Sequence, residues 1–126
     1  MLLKLVLIEI LALVLAADVS GVGTDRRQLA ASSYGGDKGI FGFGAAGSAE
    51  NVTNKVSNSG VVASDTSGVG TARYYLAGAG YGGDKGIFGY GSTGSVTGIT
   101  NLINNAGAVA SDVSGVGTAR LQLAAS

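Results

Sequence analysis

Two stretches of this chain have the spacing of a phosphate-binding glycine loop. They read Gly-Phe-Gly-Ala-Ala-Gly at 42–47 and Gly-Tyr-Gly-Ser-Thr-Gly at 89–94, and each comes after an apolar run. Such a loop holds a pyrophosphate only where a helix opens behind it, because the helix amides make the contact. The residues behind each loop are rich in Asn, Thr and Gly and read as strand, so nucleotide binding is a distant alternative. There is no Walker loop: Lys38 and Lys85 each sit between Asp and Gly, where the loop requires Gly-Lys-Ser or Gly-Lys-Thr.

Other chemistry is limited by composition. The chain has no His and no Cys. It therefore lacks the commonest general base near neutral pH, the commonest transition-metal ligand, and any thiolate or disulfide. Nucleophilic catalysis would fall to Ser-Lys or to paired carboxylates. The few carboxylates instead recur at turns. Asp37-Lys38 and Asp84-Lys85 occupy one turn position, read as an Asp bonded to its own backbone beside a solvated Lys. Asp65 and Asp112 precede Ser-Gly-Val-Gly turns and read as turn caps. A calcium site needs more than the single carboxylate each turn offers. The expectation is a protein that is not an enzyme, with no catalytic residues, no cofactor and no metal.

Composition also bears on partners. Charged residues are 13% of the 126, and the formal net charge is zero. No basic field is present to attract nucleic acid or anionic lipid, and neutrality gives little protection against self-association. Gly occurs 23 times and Pro never, while 46% of residues are apolar. Gly at that density opposes helix. The apolar fraction and regular spacing oppose disorder.

The elements that would position these residues come from an internal repeat. Ser-Gly-Val-Gly-Thr stands at 20–24, 67–71 and 114–118, and Tyr-Gly-Gly-Asp-Lys-Gly-Ile-Phe-Gly at 34–42 and 81–89. Across 20–66 and 67–113, roughly 28 of the 47 aligned positions are identical. The chain divides into an apolar N-terminal segment at 1–19, repeat 1 at 20–66, repeat 2 at 67–113 and a partial repeat 3 at 114–126. In repeat 2 the expected strands are 73–79, 86–90, 99–103 and 108–112, joined by turns at 82–85 and 104–107 and a loop at 91–94. Period 2 places Phe88 and Tyr90 on one face and Ile87 on the other. The expected fold is all-β, with four-stranded antiparallel repeats forming β-propeller-like blades in an incomplete ring. A β-solenoid is the alternative.

The order of Arg73, a small-residue strand, a Gly-Asp turn, Ile-Phe-Gly-Tyr-Gly at 87–91, and Thr100-Asn101 before an apolar strand resembles a kelch-type β-propeller blade. The wording also resembles Gly-rich repeat arrays of bacteriophage tail-associated and environmental proteins. The kelch Gly pair is split here, as Gly42 and Gly44 and as Gly89 and Gly91, and the later Trp of that family is absent. The copper oxidase chemistry of some kelch-like propellers needs His ligands, which this chain lacks. The resemblance implies a structural protein or protein-binding module in a phage tail, on a virion or at a cell surface. It leaves a cytoplasmic setting open.

The N-terminal segment has two readings. Lys4, an apolar run and Val14-Leu-Ala16 match a secretion signal, although Glu9 interrupts the run. Alternatively, Val14, Ala16 and Asp18 match Val61, Ala63 and Asp65, as in the late strands of a repeat. The run is too short and too charged for a stable membrane span. Arg26, Arg73 and Arg120 share one repeat position and are expected to pair with Asp65 or Asp112 between blades. Arg27, Gln28, Tyr74 and Tyr75 stand where the copies differ, so they are the candidate binding surface for a protein or glycan partner. Asn51-Val-Thr53 is a glycosylation sequon, meaningful in a eukaryotic secretory setting. The expected function is a tail- or surface-associated structural or binding repeat. The alternative is a secreted adhesin-like repeat completed by self-association through open strand edges.

Overall fold

The computed structural model describes residues 18–125. The segment 1–17, with both readings given for it, lies outside the described residues. Regular structure in the described part is all β. Strands β1 (Ala30–Tyr34) and β2 (Lys38–Gly42) pair antiparallel around a Gly-Gly-Asp turn. After a short hairpin of β3 (Ala45–Ala46) and β4 (Ser48–Ala49), β5 (Thr53–Val56) pairs antiparallel with β2. This gives a three-stranded sheet in the order β1-β2-β5. A second sheet has the order β6-β7-β8, from β6 (Ala77–Tyr81), β7 (Lys85–Gly89) and β8 (Thr100–Ile103). Its register copies the first: Ala30 faces Gly42 as Ala77 faces Gly89. Beyond β5, Val62 and Thr66 bridge to Val56 and Thr53; beyond β8, Val109 and Val113 bridge to Ile103 and Thr100. One residue more lies between the bridging points on the outer stretch than on the strand, so this pairing is bulged. No helix of the described residues is long and apolar enough to cross a membrane.

The strands of repeat 2 are Ala77–Tyr81, Lys85–Gly89 and Thr100–Ile103 against the expected 73–79, 86–90 and 99–103, and the expected strand 108–112 is present only as isolated bridges at Val109 and Val113; two of these differences have a backbone cause. The first strand of repeat 2 starts at Ala77 rather than Arg73, because Tyr75 is in the left-handed region with φ of 58°. The second ends at Gly89, because Tyr90 has φ of 65°. Side chains alternate only along extended backbone, so Tyr90 does not continue the face of Phe88. The first copy shows the same breaks, at Gln28 (57°) and Phe43 (63°).

The two sheets pack against each other, and this contact makes the core. Ile40 and Phe43 of the first sheet's region face Leu76 and Phe88 of the second. The Phe43 and Phe88 rings meet edge to face, 5.4 Å apart at 70°. The same sequence is buried on opposite sides in the two copies. Ile40 is buried and Phe41 is 40% exposed, whereas Phe88 is fully buried and Ile87 only half-buried. Only the side facing the other sheet is covered. Burying Phe88 contributes about 2–3 kcal/mol.

Close approach of β1 to β6 requires the Ala-Gly-Ala-Gly sequence of the latter. A Cβ on Gly78 would collide with the Ala31 carbonyl oxygen, and one on Gly80 with the Ser33 hydroxyl. The Ser32 hydroxyl, in turn, donates to the Ala79 carbonyl at 2.9 Å. Substituting Gly78→Ala should therefore push the sheets apart and cost about 1–3 kcal/mol. Gly21→Ala, where a Cβ meets nothing within 4 Å, should be close to neutral. Thermal unfolding followed by circular dichroism distinguishes the two; equal melting temperatures would contradict this packing.

Candidate functional site

The polar side chains gather into one arrangement that occurs twice. In repeat 1 the Thr24 hydroxyl donates to Asp65 Oδ2 at 2.6 Å, and the Thr24 amide donates to the same carboxylate at 3.2 Å. Asn54 Nδ2 donates to Asp65 Oδ1 at 2.8 Å. In repeat 2 the Thr71 hydroxyl and amide reach Asp112 at 2.6 and 3.1 Å, and Asn101 Nδ2 reaches it at 2.9 Å. Each carboxylate thus ties the Ser-Gly-Val-Gly-Thr segment that opens a repeat to the stretch that closes it. The second Gly of that segment is required by this contact. Gly70 has φ of +87°, and a Cβ there would lie 2.5 Å from both Asn101 and Asp112. Gly23 is placed in the same way over Asp65 and Asn54.

The arginines complete the arrangement. Arg26 Nη1 lies 3.7 Å from Asp65, and its Nη2 donates to Asn54 Oδ1 at 2.6 Å. Arg73 is fully buried, with Nε donating to the Tyr90 carbonyl at 2.7 Å and Nη1 to the Thr71 carbonyl at 3.0 Å. The Arg26–Asp65 contact lies within one repeat, not between repeats as the sequence suggested. Between repeats, Arg73 stacks on the Phe43 ring at 4.7 Å, and Arg120 on the Tyr90 ring at 4.2 Å. Burial pushes the Arg73 guanidinium down from its usual value, and Asp112 opposes that. Gly44 and Gly91 lie under the same segments: their amides donate to the Arg73 and Arg120 carbonyls at 2.9 and 3.0 Å. Gly42 lies against the Phe88 ring, and Gly89 against Thr100.

Three of the candidate binding residues, Gln28, Tyr74 and Tyr75, come together at one place. Gln28, Tyr75 and Gln122, one from each copy, form a column of backbone hydrogen bonds. The Tyr75 amide donates to the Gln28 carbonyl, and the Gln122 amide to the Tyr75 carbonyl, both at 2.9 Å. Gln28 Nε2 also donates to the Tyr75 hydroxyl at 2.7 Å. Tyr74 packs edge to face on Tyr75, 5.6 Å away, and both are half-buried. Arg27 is exposed, with its backbone bridged to Ala45. The result is a short ridge with aromatic faces and polar edges.

The other motifs resolve simply. Residues 45–49, behind the first glycine loop, form the β3–β4 hairpin rather than a helix. Asp37 and Asp84 each pair with the adjacent Lys, at 2.7 and 2.8 Å. That hydrogen bond is the main reason their carboxyls sit below the usual value. Sequence reasoning passed over Thr24, Thr71, Asn54 and Asn101 as partners of the aspartates. The available signal was their identity in both copies.

The clasp carboxylates have a pH consequence. The Thr24 hydroxyl, then Asn54 and the Thr24 amide, hold the Asp65 carboxyl below its usual 3.8. At Asp112 burial pushes the carboxyl up, but the bonds from Thr71 and Asn101 together outweigh it and the net shift is downward. A lowered folded-state pKa adds stability above the unfolded value, and that stability is lost as pH falls through the folded one. Melting temperature should be level from neutrality to about pH 5 and fall below about pH 4. Thr71→Val should cost about 1 kcal/mol at pH 7 and reduce the acid-induced drop. A variant with an unchanged acid profile would show that the Thr71 hydroxyl's bond to Asp112 carries none of it. No protein-family model matches this chain, and no curated protein matches it in sequence.

Proposed function

We propose that the chain is a non-enzymatic structural and binding repeat, tail- or surface-associated, whose 47-residue units at 20–66 and 67–113 act as β-propeller-like blades. The observation that carries this reading is the twofold recurrence of the Thr-Asn-Asp arrangement, which commits the polar groups of both copies to holding the repeat together. The bulged bridges of Val62, Thr66, Val109 and Val113 support a fourth short strand in each blade. The resemblance to kelch-type blades and to phage-tail repeat arrays supports the setting. On this reading specificity belongs to Arg27 and the ridge of Gln28, Tyr74 and Tyr75, the positions at which the copies differ.

Tyrosine faces beside an amide suit a glycan or a polar protein surface, since both combine stacking with hydrogen bonding. The test is retention of the purified chain on a panel of cell-surface oligosaccharides, compared with a Tyr74→Ser/Tyr75→Ser variant. The expected outcome is retention by the wild type and at least a tenfold weaker signal for the variant. Cleavage of a panel member would overturn the non-enzymatic reading. Retention that ignores both tyrosines would overturn the assignment of the ridge.

A further inference from the structure

The contact between the two repeats has two sides, and each side has a second copy: one is open among the described residues, the other partly covered by the chain's own residues 118–123. Repeat 2 presents Arg73, Leu76 and Phe88, which are all buried against repeat 1. The same positions of repeat 1 are Arg26, Leu29 and Phe41. They line an open groove of about 600 Å³ together with Val22, Val61 and Val62. Phe41, Val22 and Val61 are 40, 47 and 65% exposed. The Arg26 side chain is almost wholly buried, yet its Nε has no partner among the described residues. What covers Arg73 and Phe88 is the Phe43 side of repeat 1. That side recurs in repeat 2 as Ile87, Gly89 and Tyr90, which line a smaller apolar recess.

We infer that a second copy of this chain docks head to tail, placing the Tyr90 side of one copy on the Arg26–Leu29–Phe41 groove of the next. The proposal rests on the structural-repeat reading above and specifies the surface through which such repeats associate. Its basis is continuity with the contact already present inside the chain. A heterologous contact of this kind leaves both faces available again on each added copy, so assembly either closes a ring or runs on.

Two features set the strength of the contact. Residues 118–123 already occupy the margin of the Tyr90 side, with Arg120 over Tyr90 and the Gln122 amide on the Tyr75 carbonyl. An incoming copy brings Arg26 and Gln28 to these places and displaces Arg120 and Gln122, exchanging like contacts for like. The second feature is Ala31. It stands where repeat 2 has Gly78, and a Cβ on Gly78 would strike the facing carbonyl oxygen. Ala31 would strike the Gly78 carbonyl of the neighbouring copy in the same way. The intermolecular contact is therefore wider than the internal one.

The test is the mass of the full chain by light scattering across a concentration series, with Ala31→Gly and Phe41→Ser variants beside the wild type. Both residues are exposed at the proposed face, so circular dichroism should show each variant folded. Ala31→Gly should tighten association roughly tenfold, and Phe41→Ser should weaken it by at least as much. Association that neither variant changes would place the contact elsewhere and overturn the proposal, while leaving the ridge assignment standing. A monomer at every concentration for both wild type and Ala31→Gly would also overturn it. So would Phe41→Ser lowering the melting temperature without altering the mass, since Phe41 would then act in folding and not in association.

Discussion

An aspartate near the end of each repeat accepts hydrogen bonds from a threonine 41 residues earlier. Most of the architecture depends on that bond. It fixes the opening segment of a repeat against its closing stretch, and so fixes where the arginine two residues after the threonine leaves the backbone. In repeat 2 that arginine lies on an aromatic ring of the preceding repeat and donates to carbonyls of its own. The carboxylate thus sets the arginine, the arginine sets the ring, and the ring sets how one sheet sits on the next. A buried guanidinium is costly unless its donors are satisfied, which makes the order of these dependencies physical as well as geometric.

Sheet spacing is the second consequence. Two strands can approach closely only if one of them gives up its side chains. Here β1 keeps Ala-Ala-Ser-Ser and β6 has Ala-Gly-Ala-Gly. The serine of β1 gains a carbonyl of β6 as its acceptor. The copies differ in this strand because it meets its neighbour from one side in repeat 1 and from the other in repeat 2. Divergence here reflects packing direction, whereas at Gln28 and Tyr75 the differing side chains bond each other across the repeats.

The repeat period, the all-β class and the turn positions were legible in the sequence, because Gly-Gly-Asp turns and identical spacings are local signals. Three things were not. The left-handed backbone at Gln28, Phe43, Tyr75 and Tyr90 occurs at residues that ordinarily avoid it, so period 2 was carried one residue too far. The opposite burial of Phe41 and Phe88 cannot be read from identical strand sequences; it depends on which side has a neighbour. The asparagine partners were missed because an Arg–Asp pairing is the stronger expectation from charge alone, although neutral donors hold these carboxylates at shorter range.

The two copies of the clasp settle differently, and the difference tracks the covering of their outer side. In repeat 1, Arg26 Nη2 bonds the Asn54 side-chain oxygen, and Nε has no partner among the described residues. In repeat 2, Arg73 Nε bonds the Tyr90 carbonyl, and the Asn101 side-chain oxygen is left unpaired. The Phe43 ring lies over Arg73, whereas among the described residues no ring lies over Arg26. The guanidinium thus bonds the asparagine oxygen in the repeat whose outer face carries no ring, and the backbone carbonyl in the repeat that Phe43 covers. The bonds of Thr and Asn to Asp are the same in both copies, whereas the arginine two residues after the threonine bonds the asparagine in one and a backbone carbonyl in the other. The constant part of the arrangement is therefore the carboxylate with its neutral donors, and the part that follows its surroundings is the charged group beside it, because a buried guanidinium must find acceptors wherever its covering leaves them.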